Sequence, residues 1–215
     1  AALYRWVDGA LVVIDYCDRR DYRVEAMDSF LVNDGRAFAL ELHRKRFFDS
    51  AERQGDGLDG FSSLDLDAFW NAGLALMPGV GNWFPRVELQ SKDGSAHLLF
   101  RHRDAPNLKR SAVFATLDYP DPRRSPGTKG PDVEALLSAR TRARQRGADD
   151  AVILTADGYV VDGTTSAVVW WRGDILCAPP FADDAPEFAR VDSVTARSLF
   201  GMAAALGVDT HRERV

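Results

Sequence analysis

The chain has 215 residues, 46% of them hydrophobic, which is ample for a packed core in one large domain or two small ones. Its net charge is −5 with acidic and basic residues interspersed, which argues against nucleic acid as a partner; no apolar run is long enough to span a membrane. The two cysteines, Cys17 and Cys177, have no metal or redox spacing and read as small core hydrophobes; with no signal peptide, the chain reads as cytoplasmic.

Residues 10–14 form a short apolar strand signal after the Asp8-Gly9 turn. Residues 30–32 and 37–40 flank Asn33-Asp34-Gly35 as a hairpin. A helix is expected over 41–53, ending near Gly55, and a second runs from a Ser62 or Ser63 cap to Met77, where Pro78-Gly79 stops it. Residues 86–90 and 97–100 read as paired strands around Lys92-Asp93-Gly94. The polar stretch after Arg103 reads as a crossing, giving an N-terminal subdomain over 1–105, a linker at 106–111 and a C-terminal subdomain over 112–215.

The second half opens with a strand at 112–117 and a loop rich in proline and glycine, Ser125-Pro126-Gly127-Thr128-Lys129-Gly130-Pro131. A helix follows, with Pro131 in its first turn, Gly147 at its end and an apolar stripe of Val133, Leu136, Leu137 and Ala143. Its arginines, Arg140, Arg142, Arg144 and Arg146, fan across a solvated face. Strands at 151–155, 159–161, 167–171 and 175–178 then read as an antiparallel meander, and a last helix spans 194–206, closing at Gly207. The fold class is α+β, with two subdomains and a cleft of the kind in which small-molecule sites form.

Only four lysines (Lys45, Lys92, Lys109, Lys129) stand against 23 arginines. A lysine, unlike an arginine, can lose its proton when buried and attack a carbonyl to form a Schiff base. Lys129 alone is framed by stiff backbone. Other chemistries lack their motifs: there is no Gly-x-Ser-x-Gly elbow and no Walker loop, and His43, His97, His102 and His211 have no zinc-type spacing, so no metal is expected.

From Lys129 onward the chain reads Lys-Gly-Pro-Asp-Val-Glu-Ala-Leu-Leu, then Gly147-Ala-Asp-Asp-Ala-Val-Ile-Leu, then Asp157-Gly-Tyr-Val-Val-Asp-Gly-Thr-Thr-Ser, then Pro179-Pro180. Upstream, His43-Arg44-Lys45-Arg46-Phe47 follows Asp34-Gly35. In order and spacing this resembles the class IV aminotransferases and 4-amino-4-deoxychorismate lyases, enzymes of fold type IV that bind pyridoxal 5′-phosphate (PLP). The resemblance implies a D-amino-acid-aminotransferase-like architecture of two subdomains. It implies that Lys129 holds the cofactor and later shuttles the α-proton, and that Arg46 pairs with the phosphate through its fork. The amides of Val194 and Thr195 would add donors at a helix N-terminus, with Thr164, Thr165 and Ser166 near the phosphate and ring-oxygen side. Asp162 would keep the pyridine nitrogen protonated.

Four departures from the family pattern stand out. Asp162 replaces the usual glutamate, Asp132 an asparagine three residues after the lysine, and Ala167 an asparagine after the Ser/Thr step. The N-terminal Gly-Asp-Gly-x-Phe-Glu-Thr run is replaced by residues 22–30. Arg86, Arg101 and Arg103 on the paired strands are the candidate partners for substrate carboxylates. The resemblance implies a homodimer acting on an amino acid or amino-chorismate, most readily as an aminotransferase that passes the amino group to a 2-oxo acid. The same cofactor residues serve a lyase that releases pyruvate and 4-aminobenzoate, and the departures also fit a protein that kept the fold and lost turnover.

Overall fold

A two-residue turn at Asp93-Gly94, with φ of 51° and 82°, folds β7 (Arg86–Lys92) back onto β8 (Ser95–His102). The first unit is assembled on this hairpin. In the computed structural model, which describes residues 2–15, 21–107 and 109–215, that unit comprises residues 1–108 together with Lys129–Pro131. The second unit comprises Lys109–Thr128 and Asp132–Val215. The three residues around Lys129 therefore group with the first half of the chain, although they lie within the second half of the sequence. Cys17 is outside the described residues, and Cys177 is a buried free thiol.

In the first unit β1 (Ala2–Val7), β2 (Ala10–Val13) and β3 (Arg23–Ser29) join the hairpin in an antiparallel sheet of order β2-β1-β8-β7-β3. A small second sheet gathers β4 (Val32–Asn33), β5 (Arg36–Ala37) and β6 (Asn82–Trp83). Strand alternation puts Ala26, Val87, Leu89, Ala96, Leu98 and Phe100 on one face. On that face α1 (Leu40–Gly55) sets Phe47 and Ala51, and α2 (Leu66–Ala75) sets Phe69 and Trp70. Gly73 of α2 is required there, because a Cβ would lie 2.7 Å from the Phe100 ring.

Two readings of this half are corrected. The cap of α2 is Asp65, whose carboxylate accepts from the Ala68 amide at 2.8 Å, while Ser62 and Ser63 belong to a separate 3-10 turn. The segment 22–30, read only as a departure from the family run, holds strand β3. His97 and His102 are engaged separately: His97 Nδ1 lies 2.6 Å from the Arg5 guanidinium, and the His102 ring stacks on Trp83 with centroids 4.6 Å apart.

The second unit is not a meander. β10 (Asp150–Leu154) pairs antiparallel with β11 (Val160–Gly163) and parallel with β9 (Phe114–Thr116). A separate sheet joins β12 (Trp170–Arg172), β13 (Ile175–Ala178) and β14 (Thr210–Arg212), the last two parallel. Each parallel pair brings in a distant segment, and in the first sheet α3 (Val133–Gln145) makes the crossover from β9 to β10. The face that α3 buries carries Ala139 and Ala143, whereas Leu137 of the expected stripe is exposed. The last helix, α4 (Val194–Ala205), is capped by Ser193, which accepts from the Ala196 amide. No helix among the described residues is long and apolar enough to cross a membrane.

Phe69 is fully buried and packs between Phe47 and Trp6. The exchange Phe69→Ala is expected to lower unfolding free energy by about 3–5 kcal/mol, through lost transfer energy and the cavity left behind. Urea melts of the two proteins check it, and a loss below about 1 kcal/mol would show that the core closes over the gap.

Candidate active site

The sequence places Lys129 and Arg46 far apart, and the first unit brings both onto one strand. The amide of Met27 in β3 donates to the Lys129 carbonyl at 2.7 Å. The next residue, Gly130, has φ 150° and presses on β3 so closely that a Cβ would lie 2.8 Å from Ala26 Cα. Any side chain at 130 would therefore push the lysine loop off the strand. One residue along, Asp28 receives Arg46: Nε donates to Oδ2 at 2.7 Å and Nη2 to Oδ1 at 2.8 Å. His43, one helical turn before Arg46, lies with Nδ1 2.8 Å from the same Oδ1. The α1 residues His43 and Arg46 share a face because their spacing is three.

Asp28 has 0% of its side chain exposed, against 15% for Arg46 and 13% for His43. Burial alone would raise its carboxyl pKa; the bonds from His43 and Arg46 and their charges outweigh this and hold it below the usual aspartate value. A carboxylate is thus retained within the replaced N-terminal run. Sequence reasoning missed it, though the His43-to-Arg46 spacing on an adjoining helix was the available signal.

The opposite face of the sheet carries the three candidate substrate arginines. Glu88 is fully buried there and accepts from Arg101 at 2.6 Å (Nε) and 2.9 Å (Nη2). Arg86 and Gln90 also reach the Glu88 carboxylate. Arg103 instead donates to the Phe84 carbonyl at 3.1 Å and to Ser29 Oγ at 3.2 Å. Two arginines on one glutamate leave this cluster a net positive charge, and Glu88 is the cross-strand neighbour of Met27, the residue that holds Lys129.

The second unit holds the remaining predicted residues. Asp162 lies within β11, opposite Ile153 of β10. The Thr164, Thr165 and Ser166 hydroxyls are not open donors: all three point to Asp150, a buried carboxylate of β10. Asp150 also accepts from the Ala151 amide at 2.8 Å, so it is a hub that fixes the turn just after Asp162. Arg190 gives its donors to the carbonyls of Pro179, Pro180 and Phe188 at 2.9, 2.7 and 3.0 Å. Burial pulls the Arg190 pKa down and the charge of Asp162 opposes the shift, which places a structural cation in the field of Asp162. Asp150 lies inside the Gly147-Ala-Asp-Asp-Ala stretch, which sequence reasoning noted without giving it a role, and Arg190 carries no spacing signal.

At α4, Ser193 caps the amide of Ala196 and the first intrahelical bond runs from the Arg197 amide to the Ser193 carbonyl. The amides of Val194 and Thr195 precede that bond, where a helix offers donors to an anion. Asp132 explains its own departure from asparagine. It accepts from the Arg124 and Ser125 amides at 2.9 and 2.8 Å, a two-oxygen clasp that an amide side chain lacks, and so closes the loop bearing Lys129. A cavity of about 490 Å³ beside α4, lined by Val168, Phe181, Arg190, Ala196, Phe200 and Arg212 among others, contains none of the predicted residues.

A family model described as amino-transferase class IV matches residues 25–215. Among solved structures, the branched-chain amino acid aminotransferase of Escherichia coli is 16% identical with a TM-score of 0.79, over 100% of this chain and 78% of that one. A hypothetical aminotransferase from Mycobacterium tuberculosis, in a PLP-bound form, is 18% identical with a TM-score of 0.74, over 100% and 82%. A putative 4-amino-4-deoxychorismate lyase from Legionella pneumophila is 15% identical with a TM-score of 0.71, over 89% and 74%. At such identities the likeness is one of fold. No curated protein matches the chain.

Two outcomes follow from the β3 contacts. The folded-state pKa of Asp28 lies below its unfolded value, so its contribution to stability is present above the ordinary aspartate range and is lost as pH falls through and below about 4. Acid unfolding should therefore flatten in Asp28→Asn relative to wild type, and equal slopes below pH 4 would contradict the assignment. Gly130→Ala should cost about 1–3 kcal/mol and raise amide exchange at Met27, whose bond to Lys129 it strains. Unchanged Met27 protection would sink that expectation.

Proposed function

The chain belongs to the amino-transferase class IV family, whose members are enzymes using PLP, and from that membership we propose that it moves the amino group of an amino acid to a 2-oxo acid. The observation that carries the reading is the anchoring of Lys129 and Arg46 to consecutive residues of β3, Met27 and Asp28. A primary amine and a guanidinium fork, held by one strand, suit the aldehyde and the phosphate of the cofactor.

The residues present fit the group. In the first unit Arg46 would pair with the phosphate; in the second, the first-turn amides of Val194 and Thr195 would suit a phosphate and Asp162, in the field of Arg190, the ring nitrogen. When bound, PLP serves as an electron sink for the carbanion left by loss of the Cα proton. Lys129 Nζ would take the Cα proton and hold it for the return that completes amino transfer, its backbone fixed by the Met27 amide. The Thr164-Thr165-Ser166 step serves by shape, since Asp150 engages its hydroxyl protons. Arg86 and Arg101, engaged by Glu88, and Arg103, engaged by Phe84 and Ser29, are the arginines we assign to substrate carboxylates. The same reading takes the enzyme as a cytoplasmic homodimer.

The purified protein with added PLP is expected to show a visible absorption band that borohydride bleaches and that Lys129→Ala lacks. Turnover in that variant should fall by at least about 10²–10⁴-fold in a screen of amino donors against pyruvate and 2-oxoglutarate. Absence of the band in the wild type would end the reading. Release of 4-aminobenzoate from aminodeoxychorismate, with no amino transfer, would assign the lyase reaction instead.

A further inference from the structure

Asp28 has no role among those the family resemblance assigns, yet it is a fully buried charge held by two bonds to Arg46 and one to His43. Its position makes that unusual. Along β3 it lies in the inward row with Ala26, beside Val87 and next to the core residue Phe30. An apolar side chain is the default at such a position, because a buried carboxylate is costly unless paired and a well-packed hydrophobe is at least as stable.

We propose that Asp28 is a positioning residue that fixes the Arg46 guanidinium for a phosphate ester, so that the selectivity of this site for phosphorylated over unphosphorylated cofactor depends on it. The inference rests on the phosphate role given to Arg46 above. The guanidinium is planar, so two donors held on one carboxylate set the direction of its whole fork. His43 bonds the same carboxylate and restrains its plane in turn. Met27, the residue before Asp28, holds the Lys129 carbonyl at 2.7 Å. Strand β3 thus sets two anchor points one residue apart, one for the group that takes the aldehyde and one for the group that takes the phosphate. A clasped arginine enters binding with its geometry already chosen, whereas an unclasped one must be ordered by the ligand.

The test uses the full chain freed of cofactor, titrated separately with PLP and with pyridoxal, and with inorganic phosphate as competitor. Asp28→Asn keeps the shape but loses the charge-assisted clasp. It is expected to weaken PLP binding by about tenfold while pyridoxal binding stays within about twofold, and phosphate should compete correspondingly less well. Equal losses for the two ligands would show that Asp28 only supports the fold, and an unchanged PLP affinity would likewise overturn the proposal. Should the asparagine variant fail to fold by circular dichroism, Asp28→Glu keeps the buried charge and moves the guanidinium by a methylene. It must then show the same phosphate-selective loss, and wild-type selectivity in it refutes the clasp. A wild type that binds both ligands without preferring PLP removes the Arg46 assignment and this inference with it. A wild type that binds neither removes the proposed function itself.

Discussion

The buried carboxylate of Asp28 is the constraint on which the first unit turns. A carboxylate with no exposed surface has to be met by positive charge and by hydrogen-bond donors, or the segment carrying it will not stay in place. Helix α1 meets it twice, through His43 and Arg46. That requirement fixes the rotation of α1 about its axis, and with it the side that presents Phe47 and Ala51 to the sheet. The polar pairing and the apolar packing therefore specify one register of helix on strand. On the other face of the same sheet, Glu88 imposes a similar demand, answered by Arg101 and Arg86. A five-stranded sheet with a buried, paired carboxylate on each face has little freedom to slip.

Legibility in the sequence followed locality. The tight turns at Asp8-Gly9, Asp34-Gly35 and Asp93-Gly94 were all readable, because two adjacent residues at positive φ carry their own signature. The helices were found for the same reason, with ends off by a turn or less, the start of α2 included. There, a 3-10 turn at Phe61–Ser63 mimicked a cap and the true cap, Asp65, came later. Strand β3 was missed because its inward row holds Asp28, so the alternation that marks a half-buried strand is broken at that position. The parallel pairs β9–β10 and β13–β14 could not be read at all. Their partners are separated by a crossover, and no local pattern says which distant strand a given strand will join.

The candidate site divides along the same line. Lys129 stood out through its stiff loop and the Gly147-Ala148-Asp149 spacing, both properties of the chain itself. What holds it, the amide of Met27 and the close pass of Gly130 over Ala26, is a contact across roughly half the sequence. Asp150 shows the converse. Its neighbours Thr164, Thr165 and Ser166 were placed near the phosphate and ring-oxygen side by the family resemblance. A buried aspartate on the adjacent strand claims their protons first. Residue types named the chemistry, and only the three-dimensional accounting of donors and acceptors said which groups remain to perform it.

The scarcity of lysine takes on a physical meaning in this light. The buried carboxylates Asp28 and Glu88 are both met by arginine, whose fork engages two oxygens and whose charge survives burial. Lys45 and Lys109 serve surface pairs with Asp49 and Asp149, and Lys92 lies over the Tyr22 ring. A lysine in place of Arg46 or Arg101 would offer one point of contact where two are used, and its pKa would fall with burial. The property that disqualifies lysine from those positions is the one a covalent anchor requires, an amine able to shed its proton near neutral pH. On the proposed reading, arginine at the structural pairings and lysine at the rigid loop are two results of one distinction, because the two side chains cannot exchange roles.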